Sequence, residues 1–291
     1  MARHRFLLPL GILLALVSSA VAQVDVSLTL QRRSFLAGEP VPLGVTVSNL
    51  SGSELTFAGS QTMPWIDFIV TSSRGVPLTA IGKPAFGAVR IPSGKAMSRT
   101  VDLNKLFALR ELGNYSVYAI VRLPGQERGG YQSRRYLFTV SNAKPYWSQV
   151  VGDPKRPGKS QQYRLVQFTG GKKNQLYVQI ATHPGGAIVR THHLGEVLMF
   201  RKPSVTIDTS LNMHVLYLIT PSIWGHARVA PDGSFLGRDL YRSSAAGDPG
   251  LAKLEDGSVR AVGGIPYDPK AEAEEQRKTR KVSERPDFIY E

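Results

Sequence analysis

Between Val24 and Val140 apolar and polar residues alternate with period two. Val24, Val26, Leu28 and Leu30 are separated by polar positions, as are Val41, Leu43, Val45 and Val47, which predicts two half-buried strands. Ala37-Gly38-Glu39-Pro40 supplies the turn between them, and Asn49-Leu50-Ser51-Gly52-Ser53 follows the second. Further runs at 55–58, 66–71, 96–101, 115–121 and 136–140 bring the total to about seven or eight short strands, with one helical turn over 102–108. That number in about 117 residues predicts an antiparallel β-sandwich over 23–142.

The most specific local signal in this half is Glu111-x-Gly113-x-Tyr115-x-Val117. It resembles the tyrosine-corner segment of immunoglobulin-like domains, in which a tyrosine bonds back to upstream backbone two residues before a disulfide cysteine. Val117 stands at that cysteine position. The stretch Phe35-x-x-Gly38-Glu39-Pro40-Val41-Pro42-Leu43-x-Val45-x-Val47-x-Asn49 is similar to the opening strands of bacterial extracellular immunoglobulin-like modules, including those resembling the intracellular proteinase inhibitor of bacilli. The resemblance implies the fold and not inhibitor activity, because function resides in sites grafted on a fold.

Lys144-Pro145-Tyr146-Trp147 and Gly152-Asp153-Pro154-Lys155-Arg156-Pro157-Gly158-Lys159 lack periodicity and predict a linker over 143–160. Beyond it, Asn174–Leu198 aligns without gaps on Asn212–Leu236 at an offset of 38, matching Asn174 with Asn212, Thr182 with Thr220, Arg190 with Arg228, Gly195 with Gly233 and Leu198 with Leu236. A third partial copy begins at Pro249. A period near 40 with several strands per unit is that of a β-propeller blade, and the Pro203–Tyr217 segment resembles blades of sialidase-like repeat families. The fold expectation is therefore all-β: an immunoglobulin-like antiparallel sandwich, then a second antiparallel β domain of propeller-blade-like repeats over 161–268. About three units are too few to close a ring of 4–8 blades. An open stack, a ring completed by another chain, and a plain meander of similar hairpins all remain open. Residues 269–291 form a charged helical or disordered tail, with Glu274 placed to support Lys278.

Composition changes this picture in three ways. Residues 1–22 carry Arg3 and Arg5, an apolar run from Phe6 to Val17 and an Ala-x-Ala end, the plan of a secretory signal peptide too short to span a bilayer. An exported protein, periplasmic or secreted, with no transmembrane segment after signal removal is expected. There are no cysteines, which removes disulfides, thiolate metal centres and thiol nucleophiles and fits a bacterial source. The net charge of +14 falls to +12 once Arg3 and Arg5 leave, and it is divided between the halves without a basic run, so nucleic acid is not an expected partner. Another envelope protein or an anionic envelope polymer remains the candidate partner.

Candidate chemistry is sparse. The five histidines beyond residue 22 all lie in the second half, and His192, His214 and His226 are the weak metal candidates, although no ligand-pair spacing joins them. Arg190 and Arg228 occupy matching repeat positions and could together clamp a carboxylate. Trp65 and Trp224 are candidate binding platforms. Asp208, Asp232, Asp239 and Glu196 offer carboxylates for glycoside hydrolysis, but Asp232-Gly233 is first a hairpin turn, and no Gly-x-Ser-x-Gly elbow occurs. Gly170-Gly171-Lys172-Lys173 lacks phosphate-loop spacing. No cofactor is implied. The reading is an exported, non-enzymatic binding or scaffold protein of the bacterial envelope, with a glycan- or peptide-directed hydrolase and an envelope polyanion binder as alternatives.

Overall fold

The computed structural model describes residues 23–60, 63–125, 129–153, 157–169, 173–245 and 247–283, with side chains through 278. The proposed signal segment and the apolar Phe288-Ile289-Tyr290 terminus lie outside them. The first half contains β1 (Val24–Leu30), β2 (Ser34–Leu36), β3 (Pro42–Asn49), β4 (Leu55–Phe57), β5 (Ile66–Ser72), β6 (Val89–Ile91) and β7 (Ala96–Asp102), then the single turn α1 (Leu103–Leu106), β8 (Gly113–Val121), β9 (Tyr131–Gln132) and β10 (Tyr136–Ser141).

Strands β1-β3-β7 form one sheet and β2-β10-β8-β5 another, with β9 added to β8 and β4-β6 paired separately. Pairing is antiparallel except between β2 and β10. The predicted alternation is realised in β1, where Val24, Val26, Leu28 and Leu30 are buried and the residues between them exposed. Inward residues of both sheets, among them Val26, Val45, Val47, Phe68, Val70 and Val117, share one core. Trp65 belongs to that core rather than to a ligand platform. Its ring packs on Phe57 and Phe86, and its Nε1–H donates to the Gly87 carbonyl at 3.0 Å. Tyr115 is buried and its hydroxyl donates to the Glu111 carbonyl at 2.7 Å, the upstream bond its sequence setting predicts. Asn49 is buried too, its amide donating to Ser53 and Ile91 carbonyls, so the Asn49-Leu50-Ser51 motif is a turn brace.

The segment expected to be a linker carries a strand over its first part. Elements β11 (Pro145–Gly152), β12 (Ser160–Phe168), β13 (Gln175–His183) and β14 (Ile188–Glu196) form a consecutive antiparallel meander. Pro145 opens an edge strand, where a missing N–H costs no ladder bond, and Trp147 packs on the second core. Strands β11 and β12 pair as antiparallel neighbours, and just beyond their paired residues Asp153 N–H donates to Lys159 O at 2.9 Å. A second meander follows: β15 (Ser204–Ile207), β16 (Met213–Thr220), β17 (Ile223–Val229) and β18 (Phe235–Arg242), extended after the β19 (Gly250–Lys253) and β20 (Val259–Val262) hairpin by β21 (Ile265–Pro266). The third partial repeat is thus the β19-β20 hairpin. The chain continues into α2 (Pro269–Ser283), the charged helix expected there, tied back by Arg242 to Glu272 at 2.7 Å.

The described chain is all-β in class, built of small, mostly antiparallel sheets, and the two in the second half have the strand order of propeller blades. Leu176, Val178 and Ile180 of β13 face Met213, Val215 and Tyr217 of β16 in one core. The opposite face of β16 and β17, with Leu216, Leu218 and Trp224, is covered by residues that include Leu251 of β19. The opposite face of β13 meets the first half, where Leu36 packs on Val166 and Tyr177. Both β13 and β16 are buried on both faces, and this is why their sequences read as continuous apolar runs rather than alternations.

Candidate functional site between the two halves

The two halves meet where the turn after β2 lies across β13 and β14. The Thr191 N–H donates to Gly38 O at 2.9 Å, Thr191 Oγ1 donates to Ala37 O at 2.5 Å, and the Gln179 amide donates to Thr191 Oγ1 at 3.0 Å. Gly38 adopts φ +75°, and a Cβ there would stand 2.6 Å from Ile188 Cγ2. The turn needs glycine for its left-handed backbone and for its close approach to β14.

Beside this joint opens a cleft of about 680 Å³. Its floor is a cluster joining both halves. Arg32 forms an ion pair with Glu39, donates to Tyr177 Oη at 3.0 Å and to Ser34 O at 3.3 Å, and lays its guanidinium 4.5 Å over the Phe35 ring. Glu39 is only 2% exposed and also accepts the Leu36 N–H at 2.9 Å. Burial raises its pKa, and the Arg32 and Leu36 bonds only partly offset that effect. Burial, with Glu39 nearby, likewise raises the Tyr177 hydroxyl.

The wall from β13 and β14 carries Gln175, His192, His193 and Glu196. His193 lies 4.8 Å from the Tyr177 ring, and its Nε2 is 2.7 Å from Gln175 Oε1. His192 stacks on Phe235 at 4.3 Å. Burial lowers both imidazole pKa values, helped by Arg190 for His192 and by Arg32 for His193. Lys173 pairs with Glu196 at 2.6 Å. Phe168, Pro40 and Pro42 complete the apolar part of the lining.

The three weak metal candidates lie in two different places. His192 is in the cleft, whereas His214 and His226 are buried in the second meander. His214 faces Arg228 and Leu216 faces His226 across β16-β17, so the two histidines are diagonal neighbours on one face. His214 Nδ1 lies 2.9 Å from His226 Nε2, and His214 Nε2 lies 3.2 Å from Asp208 Oδ2. Burial opposes ionisation of Asp208, but hydrogen bonds from the Asn212 side chain and N–H, and from His214, outweigh it and hold the carboxyl below its usual range. An ionised Asp208 accepts from His214 Nε2–H, which leaves Nδ1 to accept from His226 Nε2–H. Burial, His214 and Arg228 push His226 down to about 4. The chain satisfies the facing imidazole nitrogens of both histidines internally. Among the described residues, no group of three or more His, Asp or Glu is arranged to hold a metal ion.

Arg190 and Arg228 do not converge either. Arg190 reaches Ser234 Oγ at 3.1 Å, while Arg228 pairs with Asp239 at 3.1 Å. Their repeat equivalence fails because the two hairpin loops differ in length. Ile180 pairs with Arg190, whereas its aligned residue Leu218 pairs with Trp224. Trp224 itself is buried on Leu216 and Leu218, with Nε1–H donating to Ser243 Oγ at 3.2 Å, and offers no open platform. Sequence reasoning missed Arg32, Glu39, Tyr177 and His193. Glu39 read as part of a turn, and only the nearly unbroken apolar run of β13 signalled that something covers its second face.

No protein-family model and no curated protein sequence matches the chain. Among solved structures it is similar to Spo0M, the sporulation control protein from Bacillus subtilis, at 11% identity and a TM-score of 0.29, over 91% of this chain and 97% of that one.

Proposed function

We propose that the protein is an exported, non-enzymatic binding or scaffold protein of the bacterial cell envelope, in which an immunoglobulin-like sandwich is joined to blade-like meanders. The observation that carries the binding reading is the cleft between the halves, whose volume falls in the range of about 300–1,000 Å³ usual for small-molecule sites. Its charged groups are already committed to one another: Glu39 to Arg32 and Glu196 to Lys173. A hydrolase needs a carboxylate or imidazole free to move a proton at the substrate. Both carboxylates in the cleft instead brace their own walls, His193 is bonded to Gln175 and the His192 ring is stacked on Phe235, which favours holding a ligand over transforming one. The immunoglobulin-like assignment is supported by the Tyr115 bond and by Val117 in the shared core. Export rests on the three-part plan of residues 1–22.

The test has two arms. The full chain is expressed in a Gram-negative host, fractionated, and its N-terminus sequenced; a periplasmic product beginning at Gln23 is expected, and a cytoplasmic product retaining residues 1–22 refutes export. The mature protein is then compared with a Gln31→Ala/Gln175→Ala variant as bait for envelope extract. A bound component lost in the variant supports the cleft as the binding site, and equal capture refutes it.

A further inference from the structure

We infer that the cleft between the halves binds an uncharged oligosaccharide. The inference rests on the binding-protein reading above and deepens it. Four charged side chains line the cleft, two of each sign, and they are matched in pairs: Arg32 with Glu39 and Lys173 with Glu196. Arg32 is committed mostly to the chain itself, with three of its five N–H donors in use. Its Nη1 serves Ser34 and Tyr177, its Nη2 serves Glu39, and Phe35 covers one face. An anionic ligand that drew Arg32 away from Glu39 would leave a buried carboxylate unpaired, and one that approached Lys173 would meet the Glu196 carboxylate beside it, so matched charge gives an anion no net attraction in the cleft.

What remains available is neutral and two-sided in hydrogen bonding. Gln31 offers a donor NH₂ and an acceptor oxygen, and with Gln175 Oε1 accepting from His193 Nε2–H at 2.7 Å, the Gln175 NH₂ is left as a donor and His193 Nδ1 as an acceptor. Burial, with Arg32 nearby, lowers the His193 pKa from its ordinary value, which favours the neutral ring beside Tyr177. Hydroxyl groups, which both donate and accept, are the complement of such a set. Phe168, Pro40 and Pro42 give the apolar surface on which the C–H faces of a sugar ring can rest. An extended peptide fits less well, because it would bind by main-chain pairing along a free sheet edge. The neighbouring edge of β14 is already taken at Thr191 by Gly38 O.

The mature protein is titrated with maltotriose, cellotriose and chitotriose, and separately with a heparin tetrasaccharide and tetra-alanine, by saturation-transfer NMR and calorimetry. At least one neutral trisaccharide is expected to bind, with affinity lowered about tenfold or more by Gln31→Ala/Gln175→Ala at unchanged melting temperature. A second variant, Phe168→Leu, should weaken the same ligand and leave the fold intact. Absence of binding by all three neutral probes overturns the proposal, as does binding that both variants leave unchanged. Cleft-dependent binding of the heparin fragment or the peptide with none of the neutral sugars also overturns it. Cleavage of a bound trisaccharide in the NMR tube would refute the non-enzymatic reading while leaving the sugar site standing. Export with no sugar bound refutes the sugar site alone.

Discussion

Replacing Gly38 by alanine tests whether the two halves are joined as described. Two penalties apply. At φ +75° an alanine occupies left-handed backbone, which costs about 1–2 kcal/mol. Its Cβ would also stand 2.6 Å from Ile188 Cγ2 and 3.3 Å from Thr191 Oγ1, so β14 must shift, and forced overpacking costs about 1–3 kcal/mol. The internal control is Gly75→Ala, since Gly75 has φ +76° and open space around its missing Cβ. That variant pays the backbone term alone. With about 2–4 °C of melting temperature per kcal/mol for chains of this size, Gly38→Ala should fall by about 4–20 °C and Gly75→Ala by about 2–8 °C. Differential scanning calorimetry of the two variants beside the parent protein measures both. Hydrogen exchange should show the Thr191 amide, which donates to Gly38 O, losing protection only in Gly38→Ala. Equal shifts in the two variants with Thr191 still protected would refute the close approach of the turn to β14.

Three further outcomes follow from buried polar groups. Arg32→Met strands Glu39, and breaking a buried pair costs about 3–5 kcal/mol, at the low end here because Arg32 is itself 36% exposed; urea denaturation should show the deficit at pH 7 and its narrowing toward pH 4, because protonation neutralises the stranded carboxyl. His226, held at about 4 when folded against about 6.5 unfolded, takes a proton preferentially in the unfolded chain. Its contribution is complete above pH 6.5 and is lost as pH falls toward 4, on the order of 3 kcal/mol, so a His226→Gln variant should show a flatter stability curve over that window, and an unchanged slope would count against the chain from Asp208 through His214. Tyr115→Phe removes one buried hydrogen bond to Glu111 O and should lower stability by about 1 kcal/mol in the same denaturation assay.

The first half was legible because its strands have one wet face. In β1 and β3 the period-two pattern names the inward residues directly, and the resemblance of the Glu111–Val117 segment to a tyrosine corner implied the bond that Tyr115 makes. The linker was misread because β11 is an edge strand that begins at a proline and alternates only weakly, so local chemistry resembles a loop while the pairing with β12 is long-range. The repeat was legible as an alignment and misleading as geometry. Its first strands correspond, β13 with β16, but a shorter second loop moves β17 out of step, and residues equal in the alignment, Arg190 and Arg228, take different neighbours.

The cleft was hidden for a reason that follows from the layering. Each of its walls is ordinary by itself: a turn in the first half, a strand pair in the second. Arg32 acquires its role only through Tyr177, and Ala37 through Gln179 and Thr191, contacts that no period or motif encodes. The alternate residues of β13 do carry the information in another form. Leu176, Val178 and Ile180 satisfy the core with the second meander, so Tyr177, Gln179 and Ala181, all buried, imply a second covering layer. A buried glutamine on that face further implies that the layer presents backbone polar groups rather than a flat apolar sheet. A turn, with its unpaired carbonyls, meets that requirement, and the carbonyls of Ala37 and Gly38 supply it. A polar covering turn cannot seal the apolar face as a second sheet would, and it leaves beside it the opening lined by Arg32, Tyr177 and His193.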